Sequence, residues 1–182
     1  NMHDIKRQTS GSRADVIAEL ADNKEPFIAW CDTDYEADAL KDRIKDAVEV
    51  RGSMPIDKKE ENLEAFSLGQ ARVIITKPSV AGYGLNWQHC HNMGFAGRSF
   101  SYEAWYQAVR RSWRFGQKHP VNVHIAVADG EDQIGRVIDR KADDHARMKY
   151  AMAIAMQRNV NRAAANKIEY NPKHKGALPS WL

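Results

Sequence analysis

RVIITKPSVAGYGLN, residues 72–86, is a run of apolar β-formers that breaks into a loop carrying two glycines. Four consecutive apolar or β-branched residues with no polar alternation predict a strand buried on both faces, as in a parallel sheet. Gly82 and Gly84 would let the backbone of the following loop approach a ligand closely. No third glycine completes a dinucleotide fingerprint, and no Gly-Lys-Ser/Thr closes a P-loop. Thr76, Lys77 and Ser79 fall at the carboxyl edge of the predicted strand, where open α/β sheets bind ligands.

Outward from this stretch, strands and helices alternate. FIAWC (27–31) reads as a second buried strand behind Pro26. Asp34 is a plausible cap for a helix over 35–45, with Ala37, Leu40 and Ile44 on one face. VEVRG (48–52) is a short strand. The next helix begins near Ser53-Met-Pro-Ile, with Ile56, Leu63 and Phe66 inward and Gly69 as its stop. HNMGFAG (91–97) is a strand. Ser101 caps a helix over 102–113, with Glu103 in its first turn. VNVHIAVA (121–128) sets Val121, Val123, Ile125 and Val127 on one face of a last strand. This order implies a largely parallel sheet covered by helices on both sides. Residues 1–11 read as a polar arm, and a short helix around Val16, Ile17 and Leu20 leads in. From Glu131 to about Asn159 the pattern is helical, with Ile134, Val137 and Ile138 and then Ala151, Ile154 and Ala155 as its stripe. The basic segment NRAAANKIEYNPKHKGALPSWL reads as an extended arm. The division is 1–24 arm and lead-in helix, 25–130 α/β lobe, and 131–182 helix and tail.

Composition fits this. The 182 residues are 43% hydrophobic and 28% charged, enough for a core and a soluble surface. No run of 18 apolar residues predicts a membrane span. The net charge of +3 and a pI of about 8.8 permit a polyanionic partner without demanding one. Cys31 and Cys90 lie in apolar contexts, as expected for buried thiols in a reducing cytoplasm.

QAVRRSWRFGQ, residues 107–117, carries the strongest chemical signal. Arg111 and Arg114 are three apart and would share a helical face. Two guanidinium forks on one face can grip a polyphosphate and stabilise charge developing on a γ-phosphate. A solvated basic face is the plain alternative.

The spacing Gln107, Arg111, Arg114 resembles motif VI of superfamily-two helicases, with Arg110 in place of the usual glycine. Arg114-Phe-Gly-Gln117 is similar to the ending of that motif in Snf-type translocases. Gly82, Gly84 and Asn86 resemble motif V of the same branch, and Phe27-Ile-Ala-Trp30 resembles motif IV. Arg51-Gly52-Ser53, with Lys58, Lys59 and Phe66 beyond, is similar to a strand-glycine-helix segment that contacts the nucleic-acid backbone. The likeness covers residues 12–128, and the tail with its Asn-Pro-x-His and Leu-Pro-x-Trp-Leu looks like that of bacteriophage or prophage helicases. The resemblance implies a RecA-like C-terminal lobe with a helical extension. It makes Arg111 and Arg114 arginine fingers. Gln107, Gly82, Gly84 and Asn86 become ATP contacts. Gly52, Ser53, Thr76, Lys77 and Ser79 become nucleic-acid contacts.

No Walker A loop and no acidic metal-binding strand occur in the 182 residues. Phosphoryl transfer needs both. The resemblance places them, with the Mg²⁺ ligands, in an N-terminal RecA-like lobe. The expectation is therefore a monomeric cytoplasmic motor acting on DNA, with RNA as the alternative, that uses ATP and Mg²⁺ when whole. The chain alone is expected to bind neither and to hydrolyse nothing. A non-catalytic nucleic-acid-binding or interaction module with the same fold is the second reading. Other signals are weaker. His89 and His91 lack a second ligand pair at zinc spacing, Asp32 and Asp34 read as helix-capping residues, and Ser79 has no His–Asp pattern for nucleophilic chemistry. Trp105 reads as core and Trp113 as exposed.

Overall fold

The computed structural model describes residues 2–80, 85–128 and 132–165. Gly82 and Gly84 lie outside the described residues, as does the tail from residue 166. Five parallel strands form one sheet: β1 (Phe27–Trp30), β2 (Val48–Val50), β3 (Val73–Thr76), β4 (Asn92–Phe95) and β5 (Asn122–Ile125). Their order across the sheet is β2-β3-β1-β4-β5. The chain runs outward from β1 and then crosses back to β4, so the order reverses beside β1. Such a reversal leaves a crevice beyond the carboxyl ends of the central strands.

The buried runs of β1 and β3 alternate between two cores, as strand geometry requires. Phe27, Ala29, Val73 and Ile75 pack with Ala14, Ile17, Ala37 and Leu40 from α2 (Ser10–Leu20) and α3 (Asp34–Arg43). Ile28, Trp30 and Ile74 face the other way, onto Phe66 of α4 (Ile56–Ser67) and Ala108 and Val109 of α5 (Tyr102–Val109). Trp30, Trp87, Phe66 and Phe95 form an aromatic cluster with centroid separations of 5.2–6.1 Å. The result is the α/β sandwich expected, a parallel sheet of the RecA-like kind between helices. Cys31 and Cys90 are both buried free thiols, and desolvation pushes both upward, Cys90 to about 12.

The structure departs from the sequence reading in several places. Residues 2–8 are not an arm but helix α1 (Met2–Gln8), tied down where Lys6 Nζ donates to Asp32 Oδ2 (2.9 Å) and the Arg98 carbonyl (2.7 Å). The α3 N-cap is Thr33, not Asp34, and Glu36 accepts the backbone N–H groups of Asp32 and Thr33. Ile56 opens α4 at its solvent side and is exposed, leaving Phe66 and Leu63 to pack. On edge strand β5, Val121 and Val123 reach the core, but Ile125 and Val127 are exposed. Helix α5 stops at Val109, short of the residues expected to share its face.

The first compact unit spans residues 1–142, and α2 is part of its core. A second unit covers residues 143–182 and is helical to Ala165, as the end of α6 (Asp132–Ala165). Along it Met148, Tyr150, Met152 and Met156 are exposed.

Candidate functional site

Helix α5 is set by its cap. Ser101 is extended, and its hydroxyl accepts from the Ala104 N–H at 3.2 Å. Gln107 lies exposed on the last turn. Beyond Val109 the chain tightens: the N–H groups of Arg111 and Ser112 bond three residues back, to Ala108 and Val109. Arg111 and Arg114 therefore do not share a helical face. They converge through turns instead. Both place Nη1 on one oxygen, the Leu85 carbonyl, at 3.5 Å and 3.4 Å. These are contacts to a neutral acceptor at the outer limit of hydrogen bonding.

Leu85 belongs to the segment that follows the glycine loop, so the two motifs meet in space. The Trp87 N–H donates to the Arg111 carbonyl (3.0 Å). Gln88 Nε2 donates to the Phe115 carbonyl (2.6 Å), and Gln117 Nε2 donates to the carbonyls of Gln88 and Ser112. Trp87 is the anchor: its side chain is fully buried against Trp30 and Phe66, and its indole N–H donates to Ser67 Oγ at 2.9 Å. Nothing in the sequence reading singled out Trp87. An aromatic directly after the loop's Asn86 was the available signal. Asn86 itself is exposed and turns its amide onto Gln88.

Gln107 and Arg111 line a cavity of about 220 Å³ with Ser79, Pro78, Ser101 and Glu103. Ser79 is exposed, beyond the end of β3, and Arg111 is nearly buried. A fixed guanidinium, an amide and a hydroxyl thus face one space at the sheet's carboxyl edge. The donor set suits phosphate oxygens. It contains one carboxylate, Glu103, and among the described residues no cluster of His, Cys, Asp or Glu could hold a metal ion.

The profile of the helicase conserved C-terminal domain matches residues 12–116, more than half of the chain. The chain belongs to that family. Solved structures agree on the fold. The C-terminal part of the Fun30 ATPase domain is 18% identical over 69% of this chain and 44% of its own, with a TM-score of 0.60. The C-terminal domain of the DEAD-box protein Dbp5 is 18% identical over 72% and 79%, with a TM-score of 0.61. A Saccharomyces cerevisiae Dbp5 variant bound to Gle1 and IP6 is 18% identical over 74% and 37%, with a TM-score of 0.64. This chain thus spans less than half of the Fun30 structure. No curated protein matches it.

In this helicase C-terminal domain the other predicted residues part company. Gly52 and Ser53 are exposed on the turn after β2, and Gly52 lies beside Val80 of the loop after β3. Lys59 donates to the Gly52 carbonyl (2.7 Å) and Lys58 pairs with Glu61. Lys77 is half-buried and forms an ion pair with Asp34 at 2.9 Å, which holds the Asp34 carboxyl below its ordinary range, by that hydrogen bond first and by charge second. Thr76 is the correction: it is buried and its hydroxyl donates to the Val50 carbonyl at 3.0 Å, so it ties β3 to β2 and offers nothing to a ligand. Asp32 and Asp34 hold lysines rather than cap α3. His89 lies against the Phe66 ring, and desolvation lowers its basicity, partly offset by a hydrogen bond with the Phe66 backbone; His91 stacks on His119. Trp113 is exposed, with the Arg110 guanidinium 5.5 Å from its ring centre.

Glu36 was missed as well. It is fully buried beneath the site and pairs with Arg13 at 2.7 Å. Through its bonds to the backbone of Asp32 and Thr33 it fixes the loop after β1. Capping-box spacing from Thr33 to Glu36 was the signal that could have found it.

Proposed function

We propose that the chain is the C-terminal motor lobe of an ATP-dependent helicase or translocase of the Snf-like branch, acting on DNA and of phage or prophage type. The observation that carries this reading is the convergence of Arg111 and Arg114 on the Leu85 carbonyl, beside the cavity that Gln107 shares with Arg111. The names of two structural neighbours, an ATPase domain and a DEAD-box protein, support it.

At about 220 Å³ the cavity is too small for a whole nucleotide, which fits one half of a site shared with an N-terminal RecA-like lobe. ATP with Mg²⁺, when bound between the lobes, supplies the γ-phosphoryl group. Arg111 and Arg114 exchange the Leu85 carbonyl for phosphate oxygens and stabilise their developing charge. Gln107 positions the arginines' side of the cleft. The motif V likeness makes Gly82, Gly84 and Asn86 the ATP contacts of this reading. Gly52, Ser53, Lys77 and Ser79 hold the phosphodiester backbone through neutral donors and one lysine. Because Arg111 and Leu85 are bonded to each other, withdrawing the fingers frees the segment that follows the nucleic-acid loop. Closure and reopening of the lobes then move that loop along a strand.

The test is turnover by the intact two-lobed enzyme. Arg111→Ala and Arg114→Ala should each lower kcat about 10³-fold while nucleic-acid binding persists. Arg111→Lys should not rescue, since an ammonium cannot reproduce the fork. Unchanged turnover removes the finger assignment. ATP hydrolysis by the isolated 182-residue chain would show that the second lobe is not required.

A further inference from the structure

We propose that a second cavity, next to the finger cavity, takes one unpaired nucleobase of the bound strand; this rests on the nucleic-acid reading above. The cavity measures about 200 Å³ and lies beyond the carboxyl ends of β1, β3 and β4, at the reversal of strand order. Its walls are Phe95, Trp105, Pro78, Ala104 and Cys31, with Lys77 and Arg98 among the polar residues that border it.

Size decides what enters. Pockets for drug-sized ligands run from about 300 Å³ upward, so this one suits a single heteroaromatic ring and not a nucleotide. The chemistry decides which ring. Trp105 is half-buried and lines the cavity, and any base can stack on an aromatic ring; Phe95 is fully buried in the wall and adds apolar surface. Burial keeps the Cys31 thiol protonated, so that wall is neutral. The Trp105 indole N–H is buried without a hydrogen-bond partner. An unsatisfied buried donor costs about 1–3 kcal/mol, and every base carries a ring nitrogen or carbonyl acceptor that would satisfy it. Lys77, Arg98 and the Ser79 and Ser99 hydroxyls border the same space, where the phosphates flanking that base would run.

The two cavities share Pro78, Ser79, Ser101 and Ala104. A base seated in one therefore presses on the wall of the other, which Gln107 and Arg111 line. Occupancy by the strand is in this way reported to the fingers through the first turn of α5.

Fluorescence anisotropy on the 182-residue chain tests the assignment with two labelled probes, a 12-nucleotide thymidine strand and an abasic strand of equal length and charge. The thymidine strand should bind about tenfold more tightly. Ala104→Leu, which fills the cavity, should abolish that preference. Trp105→Phe, which keeps the ring and removes the donor, should reduce it about threefold. If Ala104→Leu does not fold, Trp105→Phe decides. Equal binding of both strands, or a preference that survives these variants, overturns the base pocket and leaves the nucleic-acid reading standing. If neither strand binds, that reading falls and the pocket falls with it.

Discussion

Arg13 lies between α2 and the sheet, and Arg111 and Arg114 lie beyond the end of α5, so one molecule shows the same side chain in two settings. Arg13 is enclosed. Its guanidinium meets the Glu36 carboxylate at 2.7 Å and donates to the carbonyls of Ala96 and Lys6 and, through Nε, to Thr9 Oγ1. Arg111 and Arg114 both reach the neutral Leu85 carbonyl at 3.4–3.5 Å. An arginine clamped by a buried carboxylate is part of the frame, because moving it would strand a charge in a dry interior. Arg114, exposed and resting long on a neutral oxygen, can exchange it for a better acceptor at small cost. The two settings are also linked: Glu36 fixes the loop after β1, and that loop borders a cavity that shares Pro78, Ser79, Ser101 and Ala104 with the one lined by Arg111.

The sharpest way to break this contrast is to truncate both kinds of arginine and compare stability. Arg13→Ala leaves Glu36 buried without its countercharge and should lose about 3–5 kcal/mol of unfolding free energy. Arg114→Ala, at an exposed site, should change it by less than about 0.5 kcal/mol. Urea titration of both variants checks this. If Arg13→Ala costs under about 1 kcal/mol, the buried pair is not structural in the sense argued.

Gly97 sharpens the same point from the opposite side. A Cβ at this position would overlap the Glu36 carboxylate. Gly97→Ala should therefore cost about 1–3 kcal/mol by overpacking, less than removing Arg13 because the pair survives. The cause is separable in a double-mutant cycle: in a Glu36→Ala background the added methyl should cost nearly nothing. An undiminished penalty there would place the clash elsewhere.

What could be read from residues alone follows the range of the interactions. FIAW, VIIT and the Ser101 cap are local patterns, and each formed where expected. Gly69 likewise ends α4 in the left-handed region, at φ 73°. Arg13 and Glu36 are 23 residues apart, and Lys6 and Arg98 are 92 apart, so no period reveals them. They are also the reason residues 2–8 fold as α1. Helix α5 ended early because its continuation is held by Gln88 and Gln117 across the loop, a tertiary override of a run that reads as helix. Of the predicted site residues, Gln107, Arg111 and Ser79 come together at one cavity, and Thr76 does not, because a strand's last hydroxyl can face either a ligand or its neighbour strand.

Ser101 gives the next smaller effect, and it lies on the Arg111 side of the contrast. Its hydroxyl holds the first turn of the helix that carries Gln107. Ser101→Ala should cost about 1 kcal/mol, the usual worth of such a cap. Ser101→Asp should restore it, since a carboxylate there accepts the same N–H groups and meets the positive end of the helix. A thermal melt that ranks alanine equal to serine would mean that the adjoining walls, not the cap, hold α5.

The smallest effect belongs to Asp34 and Lys77, an ion pair of the same kind as Arg13 and Glu36 but placed in water. Lys77 holds the Asp34 carboxyl below its ordinary 3.8, through a hydrogen bond first and its charge second. A carboxyl depressed in the folded state adds stability that is present above the unfolded value and is lost as pH falls through the folded one. The Asp34 side chain is 70% exposed, so solvent and salt screen most of that gain. Asp34→Asn should therefore lower Tm by no more than about 1 °C at pH 7, and the two melting curves should merge as pH falls below about 3.8. Adding 1 M salt at pH 7 should close the gap as well, because the Debye length then drops to about 3 Å. A larger loss that persists in salt would put Lys77 in the frame with Arg13. It would then be unavailable to a phosphate, and the proposed backbone contacts would reduce to Gly52, Ser53 and Ser79.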